Sequence, residues 1–235
     1  MRAILVPVVA VVLVAAGCRE SRTEESERSQ ASQSTSCAHQ GNAKPHGEDL
    51  SGDIDGDGAA DRVRLLVDRG GKAGCAAFVV AETETGSLAA AIAEPELTFE
   101  LGLPALAGLV DVDGRPGAEV LVTILAGAST QFAGLFTAGG DELERVTVAP
   151  GVTGYGDLFP SGGSVGHLEA TGCGREPGSV VVSTAIARNR GYRLTREVLL
   201  FRDARLEPAT TERLSVSARE LGAYPEFQGA LFGNC

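Results

Sequence analysis

Nine residues of this chain hold four carboxylates in a spacing that suits a metal ion. They read Asp53-Ile54-Asp55-Gly56-Asp57-Gly58-Ala59-Ala60-Asp61, and the apolar run Val63-Arg64-Leu65-Leu66-Val67 follows. The carboxylates fall at relative positions 1, 3, 5 and 9, with Gly58 at position 6. A hard cation such as Ca²⁺ takes about 6–8 oxygen ligands in a flexible shell. Alternate residues of a tight loop can point inward, and a glycine permits the sharp bend. The ligand set expected here is Asp53, Asp55, Asp57 and Asp61, with the carbonyl of Ala59 at position 7. Without a cation these carboxylates would repel one another. Position 12 is Arg64, where an EF-hand needs a bidentate Glu, and the next residues read as a strand.

Degraded copies of the loop follow. The first lies 58 residues on (53 to 111): Asp111-Val112-Asp113-Gly114-Arg115-Pro116-Gly117-Ala118-Glu119, then Val120-Leu121-Val122. Asp111, Asp113 and Glu119 keep the acidic offsets and form a weaker candidate metal set. Arg115 occupies position 5, where its guanidinium can pair with Asp111 or Asp113 in place of an ion. The next copy lies 60 residues further (111 to 171), with Thr171, Cys173, Arg175 and Ser179 at the same offsets and Val180-Val181-Val182 behind. No carboxylate remains at those offsets, so no ion is expected there. A disulfide at Cys173 would hold that turn covalently.

The elements around the loops recur with them. Each loop precedes a β-type run: Arg62–Val67, Glu119–Leu125 and Ser179–Ala185. A second apolar stretch then meets a turn, at Phe78-Val79-Val80, Leu135-Phe136 and Leu200-Phe201. A leucine follows each turn, at Leu88, Leu143 and Leu206. Such hairpin signals at a fixed period mark a repeat architecture. The loops resemble the DxDxDGxxD loop of FG-GAP and VCBS repeats, found in integrin-type β-propeller blades and bacterial surface proteins. The resemblance covers about residues 48–215, and its specific part is the three loops. It implies an all-β fold of three degenerate blade-like repeats, near 48–105, 106–165 and 166–235. It also implies one structural Ca²⁺ and a surface that binds another macromolecule. Three blades fall short of a closed propeller, which has about 4–8. A compact stack, sandwich or partial propeller is therefore expected. Residues Ala218–Cys235 should close it as a strand or short helix.

The first 17 residues have the pattern of an export signal. Arg2 precedes an apolar run from Ala3 to Ala16. Fourteen residues are short for a membrane span, which needs about 20. Leu13-Val14-Ala15-Ala16-Gly17-Cys18 resembles a bacterial lipobox, which implies acylation of Cys18 and anchorage to the extracytoplasmic face of a membrane. Residues 18–47 are expected to form a flexible polar tether, because Arg19 to Asp49 contains no Val, Ile, Leu, Met, Phe, Tyr or Trp. The other cysteines, Cys37, Cys75, Cys173 and Cys235, suggest two disulfides in an oxidising compartment. Three pairings are possible for four cysteines. Neighbour pairing, Cys37–Cys75 and Cys173–Cys235, is preferred. No two cysteines are spaced as a metal-thiolate pair.

Composition narrows the function. The 235 residues carry 31 acidic and 20 basic side chains, for a net charge of −11, so phosphate-backbone binding is excluded as an expectation. Trp is absent and aromatics make up 5%, which leaves little for base stacking. Gly162-Gly163-Ser164-Val165-Gly166 lacks the Lys and helix of a phosphate cradle. His39 and His46 fall in or near the tether. His167 and Glu169 read as a surface strand pair. No catalytic residue is assigned, and the chain is read as a binding module. The alternative is a secreted hydrolase or enzyme accessory with a metal at Asp53–Asp61, which would need an open coordination position beside a general acid or base; a pocket holding His167 beside a carboxylate and the metal would favour it.

Overall fold

The computed structural model describes Cys37 and residues 42–235, apart from 73, 95, 96 and 98. The signal segment, Cys18, His39 and most of the tether lie outside the described residues. The fold is all-β, in two sheets, and neither closes on itself. The first sheet is an antiparallel meander of β1 (Lys44–Gly52), β2 (Asp61–Val67), β3 (Ala77–Thr83) and β4 (Gly86–Ala91). Residues 44–47, read from the sequence as tether, therefore belong to a strand. They carry no core side chain, and backbone pairing of Lys44 with Val67 and Pro45 with Leu66 holds them.

The second sheet has ten strands. β5 (Ala105–Val110), β6 (Glu119–Ala126), β7 (Thr130–Gly139) and β8 (Glu142–Arg145) form one antiparallel run. β9 (Thr147–Val148) and β10 (Phe159–Ser164) come next. β11 (His167–Cys173), β12 (Ser179–Arg188), β13 (Gly191–Arg202) and β14 (Arg205–Val216) form another antiparallel run. β7 is shared along its length. Its first half pairs with β10 and its last residues, from Phe136, pair with β8. β10 thereby joins the two runs into one sheet.

Side-chain alternation makes layers of these runs. In β6, Val120, Val122 and Ile124 join Val63, Leu65 and Val79 of the first sheet in one core. Leu121, on the opposite face, joins Leu135, Phe159, Val180, Val182 and Leu199 in a second core. The β5–β8 run is thus buried on both faces. A fully buried Val, Leu or Phe contributes about 1.5–3 kcal/mol. The three leucines that follow the recurrent turns, Leu88, Leu143 and Leu206, are all buried.

The outer faces are covered at both ends. Leu66, Phe78 and Val80 pack with Cys75 and Cys37. At the other end, Ala185 and Leu194 lie under Leu221, Tyr224 and Phe227. The last segment contains a short helix, α1 (Ala218–Leu221), and a 3₁₀ turn at Pro225–Phe227. Ser217 caps α1: its hydroxyl accepts from the Glu220 N–H and the Glu220 carboxylate accepts from the Ser217 N–H. The Ser217 N–H and the Ser217 hydroxyl both donate to the Glu220 carboxylate and hold it below the usual carboxylate range.

The disulfides are Cys37–Cys75 and Cys173–Cys235, the neighbour pairing. They belong to an oxidising, extracytoplasmic compartment. Among the described residues no helix is long and apolar enough to cross a membrane.

Candidate metal centre

The first Asp loop joins β1 to β2. Asp53, Asp55 and Asp61 bring one carboxylate oxygen each to within 4.8 Å of one another. The backbone sets this geometry. The Gly56 N–H donates to Asp53 Oδ1 at 2.7 Å, and the Gly58 N–H donates to Asp53 Oδ2 at 3.0 Å. The Ile54 N–H donates to Asp61 Oδ2 at 2.8 Å. Asp57 stands outside the cluster: it is exposed, and its Oδ1 accepts from the Ala59 N–H at 2.7 Å. The expected set thus splits. Asp53, Asp55 and Asp61 converge, whereas Asp57 is not among the converging carboxylates.

Asp61 is the informative member. It is only 2% exposed, and its Oδ1 has no hydrogen-bond partner. A buried, unpaired carboxylate oxygen is costly unless something positive faces it. With Asp53 and Asp55, Asp61 makes a set of three hard carboxylate donors that fits a divalent cation of the Ca²⁺ class.

The second loop, between β5 and β6, repeats the scaffold. The Val112 N–H donates to Glu119 Oε2 at 2.7 Å, as Ile54 does to Asp61. The Gly114 N–H donates to Asp111 Oδ1, as Gly56 does to Asp53. Asp111, Asp113 and Glu119 also come within 4.8 Å of one another. Two features separate this cluster from the first. Arg115 Nε lies 3.8 Å from Asp113 Oδ2, so a built-in cation reaches the cluster. Glu119 also has a partner for each oxygen, since Thr137 donates to its Oε1 at 3.4 Å. Burial pushes the Glu119 carboxyl up to about 7, with Asp113 and Asp111 adding to the rise and the Val112 N–H opposing it. The two clusters could each hold a metal; the orphaned oxygen belongs to the first alone.

The third loop, between β11 and β12, is held without carboxylates. Cys173 is bonded to Cys235, and Asn234 brackets it: its Oδ1 accepts from the Cys173 N–H and its Nδ2 donates to the Cys173 carbonyl. Thr171 donates to the Pro160 carbonyl, and Ser179 donates to the Glu176 carbonyl.

The three loops stack in one row. The Ala118 N–H donates to the Asp53 carbonyl at 2.8 Å. Gly117 has φ +100°, and a Cβ there would lie 2.7 Å from the Ile54 carbonyl oxygen. At Gly56, φ +80°, a Cβ would meet the Pro116 carbonyl oxygen at the same distance. Gly114 and Pro177 bring the second loop against the third. A cleft of about 270 Å³ beside the row is lined by Asp55, Asp113, Arg115, Glu119, Glu144 and Asp203.

His167 lies elsewhere. It begins β11, whose last residue reaches the third loop, so about 20 Å of strand separates it from the row. Its Nε2 is 3.5 Å from Glu169 Oε1. The His167 side chain is at the surface, as read, but Glu169 is 4% exposed, which corrects the surface reading for that residue, and the same oxygen accepts from Tyr155 at 2.6 Å. That hydrogen bond, with burial, pushes the Tyr155 hydroxyl up to about 12. Tyr155 had no sequence signal as a partner, because it sits in an irregular segment and folds back onto Phe132, with ring centroids 4.9 Å apart. No family model, curated protein or solved structure matches the chain.

Proposed function

We propose that this chain is a lipid-anchored extracytoplasmic binding module. Its β-repeats, similar to FG-GAP/VCBS blades, are fixed by one structural Ca²⁺ at the 53–61 loop. The unpartnered Oδ1 of buried Asp61, beside Asp53 and Asp55, carries this reading. The ion removes repulsion among the carboxylates and thereby locks the turn between β1 and β2. Cys18 supplies the anchor through the lipobox resemblance, and the disulfides agree with an exported protein. The exposed loops of the repeats recognise another macromolecule, and no residue of the chain is assigned a catalytic role. The enzyme alternative gains nothing from the geometry, since His167 is a strand's length from the loop row.

Thermal melts with calcium, magnesium and chelator test the proposal. Extracellular calcium modules have dissociation constants of roughly 10⁻⁴–10⁻³ M. At about 10 mM calcium the gain is about 1.4–2.7 kcal/mol, or about 3–10 °C in Tm. Asp55→Ala should abolish most of that shift and Asp113→Ala should not. The absence of any shift at millimolar calcium would sink the metal assignment. Mass spectrometry of the exported chain tests the anchor independently, through acyl mass on Cys18.

A further inference from the structure

The strands place opposite chemistry at their two ends. β2 leaves the Asp loop at Asp61 and ends at Val67, where the turn to β3 carries Arg69 and Lys72. β1 begins beside that turn, with Lys44 paired to Val67. The only two lysines of a chain with net charge −11 therefore meet at one end of one sheet. Among the described residues no carboxylate forms an ion pair with Lys44, Arg69 or Lys72; Arg69 instead lies over the Phe99 ring, 5.6 Å from its centroid. The cations border a cleft of about 730 Å³ lined by Lys44, His46, Asp68 and Arg69. Asp68 opposes them, but its Oδ1 is engaged by the Gly70 N–H at 3.0 Å. His46 adds a second observation, because its Nε2 is buried and has no hydrogen-bond partner. Lys44 and Arg69 against the single carboxylate of Asp68 leave the cleft with an excess of positive charge, which suits an anion.

The position of the cleft selects the anion. The chain that leads from Cys18 enters the described unit here, through Cys37, which is bonded to Cys75 in the same β2–β3 turn. Eighteen residues (19–36) join the two cysteines. The β12–β13 turn adds Arg188 and Arg190, and the β10–β11 turn presents Val165 at 92% exposure. At the opposite end stand the Asp loops and the turns with Asp141 and Asp203, interspersed with Arg115, Arg175, Arg202 and Arg205.

We propose that the Lys44–His46–Arg69 cleft binds the phosphate headgroup of an anionic lipid and docks the domain, with this end down, on the membrane that carries its anchor. The proposal rests on the anchored reading of Cys18. Docking turns the acidic loop row away from the anionic surface, toward the medium.

Vesicle sedimentation of residues 19–235, which retain the whole described unit but lack the acyl site, provides the test. The expected result is binding to phosphatidylcholine vesicles containing phosphatidylglycerol, weakened by salt, and little binding to phosphatidylcholine alone. A surface cation is worth about 1 kcal/mol near such a membrane, or about five-fold in binding. Lys44→Ala, Arg69→Ala and Lys72→Ala together should reduce binding about a hundred-fold. Arg175→Ala with Arg205→Ala, on the loop-row side, should leave it within two-fold. Equal binding to both vesicle types, or equal loss in both sets of variants, would overturn the proposal. Saturable binding of inorganic phosphate without vesicle binding would make the cleft a free-phosphate site and overturn the membrane assignment. Acyl mass on Cys18 and the calcium melts report separately, so failure here is distinguishable from failure of the anchor or the metal loop.

Discussion

At the scale of single residues, Asp61 and Glu119 occupy equivalent places and carry different burdens. Each accepts from the backbone N–H seven residues upstream. Asp61 keeps one oxygen unpaired in the interior, whereas Glu119 is fully partnered. Asn at position 61 can keep the Ile54 hydrogen bond through its amide oxygen while losing the charge. Asp61→Asn should therefore fold without calcium at least as well as the parent and bind calcium at least ten-fold more weakly, a loss of about 1.4 kcal/mol or more. Titration calorimetry giving the parent affinity would remove loop 53–61 as the site. Glu119 yields a pH prediction. Its folded carboxyl titrates at about 7 against 4.5 for the free group, so the folded state binds more protons between those values. Stability should then fall as pH rises from about 4.5 to about 7 and level off above, by up to about 3 kcal/mol. Glu119→Gln should flatten that slope and stabilise the calcium-free protein at pH 8 by about 1–3 kcal/mol. Urea unfolding at pH 5 and pH 8 measures both, and an unchanged slope in the variant would assign the dependence to other groups.

At the scale of elements, the loops are positioned by close backbone approach as much as by their carboxylates. Gly117 and Gly58 both have positive φ, +100° and +87°, but only Gly117 has a neighbouring carbonyl where a Cβ would go. Gly58→Ala should thus cost only the conformational penalty, about 1–2 kcal/mol. Gly117→Ala should cost clearly more and should weaken calcium binding at the adjacent loop. Equal melting points for the two variants would show that the loops do not bear on each other. This contrast also marks what the sequence disclosed. Carboxylates at fixed offsets located the first two loops, the period and the β-branched run behind it located the third, and the runs correspond to β2, β6 and β12. The leucines after the turns were legible as part of the recurrence, and the structure buries all three. β10 was not legible: Pro160-Ser161-Gly162-Gly163 reads as a turn, and pairing with β7 and β11 alone makes it a strand. Nor was the start of β1, whose side chains are polar and whose order comes from its neighbour. Asp53, Asp55, Asp57 and Asp61 all accept local N–H groups, so the separation of Asp57 comes from the path of the loop backbone, which spacing does not encode.

At the scale of the molecule, the layers pose a common problem of stacked sheets: the outermost strands expose a face that inner strands bury. The chain solves it at one end with the segment after β14. Leu221, Tyr224 and Phe227 cover Ala185 and Leu194, while Phe232 enters the second core edge-on to Phe159 at 5.4 Å. Glu226, 4% exposed, accepts from both Ser183 and Arg196, and Arg196 also pairs with Glu212 and stacks on Tyr224. Removing the Glu226 carboxylate leaves Ser183 and the Arg196 Nε without their buried acceptor, while Glu212 still neutralises Arg196, so Glu226→Ala should cost about 1–3 kcal/mol. The Cys173–Cys235 bond fixes the end of this cover through the last residue, and Cys235→Ser should cost about 2–4 kcal/mol. The location of the damage distinguishes this layered account from a uniform loss of stability. In Cys235→Ser, amides of α1 and the 3₁₀ turn should exchange with solvent much faster. Those of β6, between the two cores, should change only by the global difference. Acceleration of β6 equal to that of α1 would mean that the cover and the middle layer open together, and the terminal segment would then be an integral part of the fold rather than a separable cap.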